Sequence, residues 1–198
     1  VVCTEQVRAD LDQYIALEHT MDTQHLEAAY SSLKQLCLQY IHDAVIGLND
    51  ADVPKWHHKL LLDWCARQQL PSDARVSLDQ VKQQHPLLWP ELGLVEACGP
   101  ELANVLRSTI AYQAVLFPDG SHERVRPIYE ESVMSAFCNR CLVEVVRSIL
   151  AQNTADSAIR ILEIGAGVGG TASSVLPIVN GLCSCYTFTD VSESFMRQ

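Results

Sequence analysis

The sequence IRILEIGAGVGGT at residues 159–171, followed by YTFTD at residues 186–190, decides the fold. Its first six residues, Ile159–Ile164, are predicted to form a buried strand, and a glycine-rich turn follows directly. A helix is predicted to start at Thr171, and the second stretch is a strand that closes at Asp190. Strand, helix and strand in this order are the opening unit of a doubly wound α/β sheet.

The glycine spacing indicates a ligand-binding turn between the first strand and its helix. Gly165 permits a tight turn, and Gly167 lets the backbone approach a ligand where any Cβ would collide. Gly169 and Gly170 let the helix pack near the strand and leave its first N–H groups without intrahelical acceptors. Such a turn predicts a nucleoside site at the carboxyl end of the sheet. A tight turn with no ligand is the alternative.

Two acidic residues bear on which nucleoside would bind. Gly165-x-Gly167-x-x-Gly170 also matches the dinucleotide fingerprint. Glu163 favours a cationic ligand such as the methionine portion of S-adenosylmethionine, since a carboxylate repels a pyrophosphate. Asp190 suits both ribose hydroxyls, which both classes of nucleoside carry, and its alternative role is the N-cap of a following helix.

The first 150 or so residues are predicted to be almost wholly helical. Apolar residues recur at a period near 3.6, and proline and capping signals separate the helices. The predicted helices are Leu26–Leu48 with Thr23 as N-cap, Trp56–Leu70 ended by Pro71, a short helix after the capping box Ser77–Gln80, Glu101–Arg107, and Pro127–Ala151. Gln152–Ser157 is a short polar connection, which predicts domains at residues 1–151 and 158–198.

Composition excludes several classes of protein. The 198 residues carry 14 basic and 24 acidic side chains, a formal charge of −10, with 48% apolar residues. The apolar content is ample for a core, which argues against disorder. Without an apolar run of roughly 20 residues no membrane span is expected, and the acidic balance argues against non-specific nucleic-acid binding.

The eight cysteines indicate a reducing, cytoplasmic compartment, because the chain has a good core and shows no export signal. Cys138-Asn-Arg-Cys141 and Cys183-Ser-Cys185 raise the alternative of a metal site. The first pair lies inside a helical stretch without the turn of a zinc knuckle, and no second pair follows at zinc-ribbon spacing. No metal is therefore predicted.

These motifs together resemble a known family. Glu163–Thr171 is similar to motif I of class I methyltransferases, and Tyr186–Ser192 resembles the next strand of the C-methyltransferase domains embedded in polyketide synthases. Further matches to those domains are Glu101–Arg107, Leu116–Gly120, and Ile128–Ser132 with Asn139. Val53–Leu60 looks most like the fungal non-reducing type.

The resemblance implies an α/β protein with a mainly α-helical N-terminal subdomain, acting as a lid, before the first β-α-β unit of a Rossmann-type sheet. It implies S-adenosyl-L-methionine as cofactor and methylation of the α-carbon of a β-ketoacyl chain. That chain would be a thioester on the phosphopantetheine arm of an acyl carrier protein, within a multifunctional synthase of secondary metabolism. The cofactor-binding residues it implies are Tyr129, Asn139, Glu163, Gly165, Ala166, Gly167, Gly169 and Asp190.

The family's general base, a histidine assisted by a glutamate, lies on later strands, so no catalytic residue is expected in this chain. His57, His58, His85 and His122 are predicted to have surface or capping roles. Because Val1 is not an initiator and the chain stops just after a strand, we expect a piece of a longer protein, inactive alone. For Tyr129 the alternative is a core aromatic, and for Asn139 a helix-surface amide.

Two other functions stay open at this point. The alternative glycine spacing permits a nicotinamide-dependent reductase domain, which Glu163 opposes. The other is an inactive methyltransferase-like domain that serves as a structural spacer in a synthase. Intact Glu163, Gly165, Gly167 and Asp190 argue against the spacer.

Overall fold

The computed structural model describes residues 2–18, 23–67, 75–153 and 159–196. Short 3₁₀ turns occur at Pro86–Leu88 and Pro118–Gly120. In chain order the helices and strands are α1 Thr4–Glu18, α2 Thr23–Val45, α3 Trp56–Arg67, α4 Leu78–Gln84, α5 Trp89–Cys98, α6 Leu102–Leu106, α7 Tyr112–Leu116, α8 Arg126–Glu130, α9 Val133–Gln152, β1 Ile159–Ile164, α10 Gly170–Val179, β2 Cys183–Thr189 and α11 Glu193–Met196.

Residue contacts divide the chain into two compact units. The first combines Val1–Met21 with Arg126–Gln198, and the second is Asp22–Val125. The first unit is therefore built from both ends of the chain. The helices α1 and α9, which the sequence assigned to the helical subdomain 1–151, lie in the same unit as the sheet. The predicted functional division at 1–151 and 158–198 stays a prediction.

The second unit is a helical assembly with its own apolar core. Apolar side chains of α2, α4, α5 and the turn between α4 and α5 form this core. The core residues are Ala29, Leu36, Val81, Leu88 and Leu92. The predicted capping box is confirmed, since Gln80 N–H donates to Ser77 Oγ at 3.1 Å and Ser77 N–H donates to Gln80 Oε1 at 3.0 Å. Removing that serine would expose unpaired N–H groups at the start of α4.

The first unit contains the predicted strand–helix–strand. Strands β1 and β2 are parallel neighbours, with Ile161 opposite Tyr186 and Glu163 opposite Phe188. The α/β fold class is confirmed, and β1 has the predicted bounds. Strand β2 begins at Cys183, three residues earlier than predicted; the irregular register there leaves Ser184 between the residues opposite Ile159 and Arg160.

Burial alternates along β1, as the period of two in a strand requires. One face, with Ile161 and Glu163, is partly buried. The other face is open, with Leu162 60% and Ile164 82% exposed. The described sheet therefore has one exposed apolar face.

Helix α10 follows the glycine-rich turn and packs on α8 and α9. Its buried side chains Ala172, Val175 and Val179 lie at i, i+3 and i+7, one face of a 3.6-residue period. The helix begins at Gly170, one residue before the predicted start.

The single helix predicted over Pro127–Ala151 is wrong, because the chain breaks into α8 and α9 at Ser132. Ser132 has ψ 146°, far from helical, and is the N-cap of α9. Its Oγ accepts from Ser135 N–H at 3.3 Å and donates to Ile128 O at 2.7 Å. A serine side chain that bonds to nearby backbone competes with the helical ladder, and the apolar period alone does not reveal it.

Helix α3 begins at Trp56, as predicted. Its predicted end at Leu70 and the stop at Pro71 lie outside the described residues. Cys65 is buried, whereas Leu60 is 55% and Trp64 38% exposed. Within the described ranges, no helix has the length and apolar character to cross a membrane.

Candidate cofactor site at the glycine-rich loop

The loop between β1 and α10 needs glycine for its backbone conformation. The φ angles of Gly165, Gly167 and Gly169 are +74°, +56° and +81°, which L side chains rarely adopt. A Cβ built on Gly165 or Gly167 meets no atom within 4 Å, so both positions border open space. These two glycines therefore form a cradle that a side chain would fill, whereas a Cβ on Gly169 would contact the Phe188 ring at 3.8 Å.

The end of β2 holds this loop in place. Thr189 O accepts hydrogen bonds from Gly165 N–H at 3.0 Å and from Ala166 N–H at 2.9 Å. Asp190 Oδ2 accepts from Gly167 N–H at 2.9 Å. The loop backbone is therefore fixed by residues at the end of β2. This is the carboxyl edge of the sheet, where open α/β folds bind ligands.

Asp190 is an ionised acceptor that joins the loop to the next turn. Its Oδ1 accepts from Ser192 N–H at 2.8 Å, an Asx-type turn before α11. The Ser192 and Gly167 backbone N–H groups hold the pKa of Asp190 below its usual value. A carboxylate has about four lone-pair sites, so capacity for further donors remains. The turn role and the predicted ribose role are compatible.

Glu163 lies on the partly buried face of β1, beside β2. Tyr186 Oη donates to Glu163 Oε2 at 2.7 Å. Burial, and then the hydrogen bond and charge of Glu163, raise the pKa of Tyr186 well above its usual value. The tyrosine therefore stays a donor throughout the neutral range. Thr189 Oγ1 also donates to Glu163 O at 2.7 Å, so this residue is held through both backbone and side chain.

Tyr129 and Asn139 meet at the start of α10. Asn139 Nδ2 donates to Tyr129 O at 3.0 Å, and Thr171 Oγ1 donates to Asn139 Oδ1 at 3.4 Å. A Cβ on Gly170 would lie 2.9 Å from both Tyr129 Cβ and Tyr129 O, so only glycine fits there. The Tyr129 side chain is 55% exposed, which does not fit the alternative of a core aromatic. Gly170 thus lets α8 approach α10 closely. The sequence predicted instead that this glycine would let α10 pack near the strand.

These residues fit the amino-acid and ribose groups of S-adenosylmethionine. The cradle at Gly165 and Gly167 admits a ligand close to the backbone. Glu163 and Asp190 supply acceptors for an ammonium group and for hydroxyl groups, both at one edge of the sheet. Ala166 is buried and its carbonyl accepts from Gly169 N–H at 3.0 Å, which closes the turn.

The histidines predicted to be non-catalytic lie in the second unit. Of these, His85 ends α4 and is buried, with Nε2 3.1 Å from Ser32 Oγ. His122 is also buried and packs edge-on against Phe117, which the surface prediction did not anticipate. His58 Nδ1 lies 3.3 Å from Leu106 O. Within the described parts of the chain, no cluster of three His, Cys, Asp or Glu residues could hold a metal ion.

Comparison with known proteins gives the same assignment as the motifs. No protein-family model matches the chain. The chain is 34% identical over 127 residues, 62% of its length, to the methylphloroacetophenone synthase of Cladonia uncialis. It is 33% identical over 121 residues, 59% of its length, to the non-reducing polyketide synthase prhL of Penicillium brasilianum. It is 30% identical over 173 residues, 82% of its length, to the highly reducing polyketide synthase NEC1 of Pyricularia oryzae.

Solved structures of carbon methyltransferase domains also resemble this chain. The structure superposes on the CurJ carbon methyltransferase over 97% of this chain, with a TM-score of 0.77 and 25% sequence identity. The chain resembles the C-methyltransferase domains of polyketide synthases. The citrinin polyketide synthase C-methyltransferase domain shows the same fold, with a TM-score of 0.71 over 98% of the chain at 20% identity. The family resemblance predicted from the motifs is confirmed, and fungal non-reducing synthases are among the curated relatives.

The chain spans only part of these C-methyltransferase relatives. It covers 59% of the CurJ methyltransferase chain and 62% of the citrinin domain. It covers 5% of the methylphloroacetophenone synthase and of prhL, and 6% of NEC1. For this chain, the activity of those whole proteins is therefore a proposal.

Three residues of the candidate site were not predicted from the motifs. Tyr186 and Thr189 lie in the YTFTD stretch, where only Asp190 received a role. The signal was available, because parallel pairing places Tyr186 opposite Ile161 and so on the same face as Glu163. Thr171 was predicted only as a helix start, and nothing in the sequence pairs it with Asn139, 32 residues away.

Proposed function

We propose that this chain is the cofactor-binding part of an S-adenosylmethionine-dependent C-methyltransferase of a polyketide synthase. The observation that carries the proposal is the glycine cradle at Gly165 and Gly167, anchored to the carboxyl end of β2 by Asp190. The similarity to C-methyltransferase domains supports the reaction class. The substrate would be a β-ketoacyl chain carried as a thioester by an acyl carrier protein.

Each predicted site residue has a role in this proposal. Gly165, Ala166, Gly167 and Gly169 form the loop against which the cofactor lies. Glu163 accepts from the ammonium group of the methionine portion, and Asp190 accepts from the ribose hydroxyls. Tyr129, whose ring is exposed, covers the cofactor from α8, and Asn139 fixes the backbone of Tyr129. The bound cofactor would supply a sulfonium methyl group.

The remaining chemistry concerns the acceptor carbon. A carbon between two carbonyls is acidic, so methyl transfer needs a base that removes its proton and a geometry that aligns the two reactants. We propose that this chain provides orientation and exclusion of water, and that a histidine assisted by a glutamate in another segment provides the base. The chain alone would then bind cofactor without turning over.

The proposal includes the setting of the domain. Its partners would be the acyl carrier protein and the neighbouring domains of a synthase, as the relatives are multidomain polyketide synthases of which it spans a small part. All eight cysteines, each within the described residues, are free thiols. Free thiols support a reducing, cytoplasmic location.

Calorimetric titration tests the cofactor and separates the reductase alternative. The protein used is the full-length polypeptide that contains this chain. We expect S-adenosylhomocysteine to bind it and NADPH to give no heat of binding. Tight NADPH binding with none of S-adenosylhomocysteine would reject the proposal in favour of a reductase. Asp190→Ala should weaken binding more than Asn139→Ala, with the exposed Glu131→Gln as a neutral control in the same unit. Equal losses in the first two variants would remove the ribose assignment.

Mass spectrometry tests the reaction and the structural-spacer alternative. A carrier-bound β-ketoacyl substrate is incubated with the full-length polypeptide and S-adenosylmethionine. We expect the acyl chain to gain the mass of one methyl group at the α-carbon. Binding of S-adenosylhomocysteine in the titration with no mass gain here would identify an inactive spacer.

A further inference from the structure

We infer that Tyr186 is a positioning residue that orients the Glu163 carboxylate toward the amino group of the cofactor's methionine portion. This inference rests on the proposed function. It assigns a role to the tyrosine of the YTFTD stretch, in which only Asp190 had one.

The contact is made across neighbouring strands of the sheet. Tyr186 Oη donates to Glu163 Oε2 at 2.7 Å, and both residues are partly buried. Ile161 pairs with Tyr186, so the tyrosine leans one pleat along the same face to reach Glu163. Because Tyr186 bonds to Oε2, rotation of the carboxylate is restrained and Oε1 is left to accept from a ligand.

Tyr186 is suited to donate a hydrogen bond to Glu163 permanently. Its phenol keeps its proton across the physiological range, since burial and the adjacent carboxylate both oppose ionisation. It carries one hydroxyl on a rigid ring with few rotamers, so little freedom is lost when it holds a partner. Glutamate, by contrast, has three side-chain torsions that must be ordered before its carboxylate can receive an ammonium group at a fixed place.

The backbone of Glu163 is also held from β2, the strand that carries Tyr186. Thr189 Oγ1 donates to Glu163 O at 2.7 Å. With Cα fixed by this bond and the carboxylate fixed by Tyr186, the acid is oriented before a ligand arrives. Preorganisation of this kind raises affinity by reducing the ordering cost of binding.

The test compares two ligands that differ in the amino-acid portion. S-adenosylhomocysteine carries the amino group, and 5′-methylthioadenosine shares the nucleoside but lacks it. In the full-length polypeptide, we expect Tyr186→Phe to weaken S-adenosylhomocysteine binding about tenfold, as expected for a lost hydrogen bond to a charged group. The affinity for 5′-methylthioadenosine should stay unchanged, because that ligand makes no contact with Glu163.

Three variants complete the design. Tyr112→Phe removes a hydroxyl from a half-exposed tyrosine in the other unit and should change neither affinity. Glu163→Gln keeps a side chain of the same size, and it reports on the same contact if Tyr186→Phe fails to fold. The double variant should lose no more affinity than Glu163→Gln alone, because the two residues act through one contact.

The possible results are distinct. Equal weakening of both ligands in Tyr186→Phe or Glu163→Gln would mean a merely structural role in the sheet, and would overturn this inference while leaving the proposed function intact. Unchanged affinity for S-adenosylhomocysteine in a folded Tyr186→Phe variant would overturn it as well. Failure of the unsubstituted protein to bind either nucleoside would reject the proposed function, and the inference with it.

Discussion

At the scale of single residues, Asp190 shows how one side chain stabilises two turns. Its two oxygens accept from Gly167 N–H and Ser192 N–H, at 2.9 and 2.8 Å. Both bonds favour the charged carboxylate, which is why its pKa is lowered in the folded chain. Its charge state therefore affects the loop and the following helix together.

Acid should consequently loosen the loop, and Asp190→Asn should remove that part of the pH dependence. A lowered pKa in the folded state means that the stabilisation is present above the unfolded value of 3.8 and is lost as pH falls through the folded value. We expect the Tm of the unsubstituted chain to exceed that of Asp190→Asn at pH 6, and the gap to shrink steadily below about pH 4. Thermal melts by circular dichroism between pH 6 and 2.5 measure it. A gap that does not change with pH would contradict this origin of the shift.

Gly170 is a position where space, and not backbone conformation, requires glycine. Gly170→Ala places a Cβ 2.9 Å from the Tyr129 carbonyl oxygen, a backbone atom that cannot move alone. We expect a loss of about 1–3 kcal/mol in the free energy of unfolding, as for other overpacked sites. Gly93→Ala is the control, since that glycine is in helix α5 with no atom near its Cβ position. It should stabilise the chain by about 0.5–1 kcal/mol; chemical denaturation measures both, and a neutral Gly170→Ala would place the close contact in doubt.

At the scale of elements, the interruption between α8 and α9 sets the position of Tyr129. Ser132 lies two residues after the end of α8 and caps α9, and it is buried. Without the break, α8 would continue along the axis of α9, and Tyr129 O could not meet both Asn139 and Gly170. The interruption is therefore part of the candidate site.

Ser132→Ala should test the cap. The loss of the Oγ acceptor for Ser135 N–H should cost about 1 kcal/mol of stability, typical of an N-cap serine. Ser31→Ala, at an exposed position on α2, should change stability by less than about 0.5 kcal/mol. Urea denaturation of the two variants checks the difference. Equal small effects would show that the break does not depend on this hydroxyl.

The sequence predicted elements whose signals are local. The bounds of β1, the capping box at Ser77 and the loop conformation at Gly165 and Gly167 each follow from neighbouring residues. Features that depend on distant partners were missed. The bond from Tyr186 to Glu163 joins residues 23 apart, and Asn139 joins two helices. Neither contact can be predicted from a short stretch of sequence.

At the scale of the whole molecule, both ends of the chain contribute to the unit that contains the loop. Helix α1 packs on α9, where Ser148 Oγ donates to Asp10 Oδ2 at 2.5 Å. Cys3 N–H donates to Gln152 Oε1 at 2.6 Å near the other end of the pair. The predicted division at residue 151 separates segments of chain, whereas the contacts join the first 21 residues to the last 73.

Ser148→Ala should therefore loosen the N-terminal helix selectively. Ser148 is the first cause of the lowered pKa of Asp10, so the serine hydroxyl stabilises that carboxylate. In native-state hydrogen exchange, we expect amides of α1 to exchange several-fold faster in the variant, with α4 and α5 unaffected. Ser174→Ala, on α10 of the same unit, is the comparison and should leave α1 unchanged. Uniformly faster exchange in both units would indicate a global loss of stability instead.

The bonds from Thr189 and Asp190 to the glycine-rich loop also bear on protein engineering. The loop's shape depends on residues that lie some 20 positions downstream, beyond an entire helix. A chimeric domain joined within α10 would combine a loop from one parent with anchors from another. Recombination of this chain with its relatives should thus exchange residues 159–192 as one block, with junctions placed outside it.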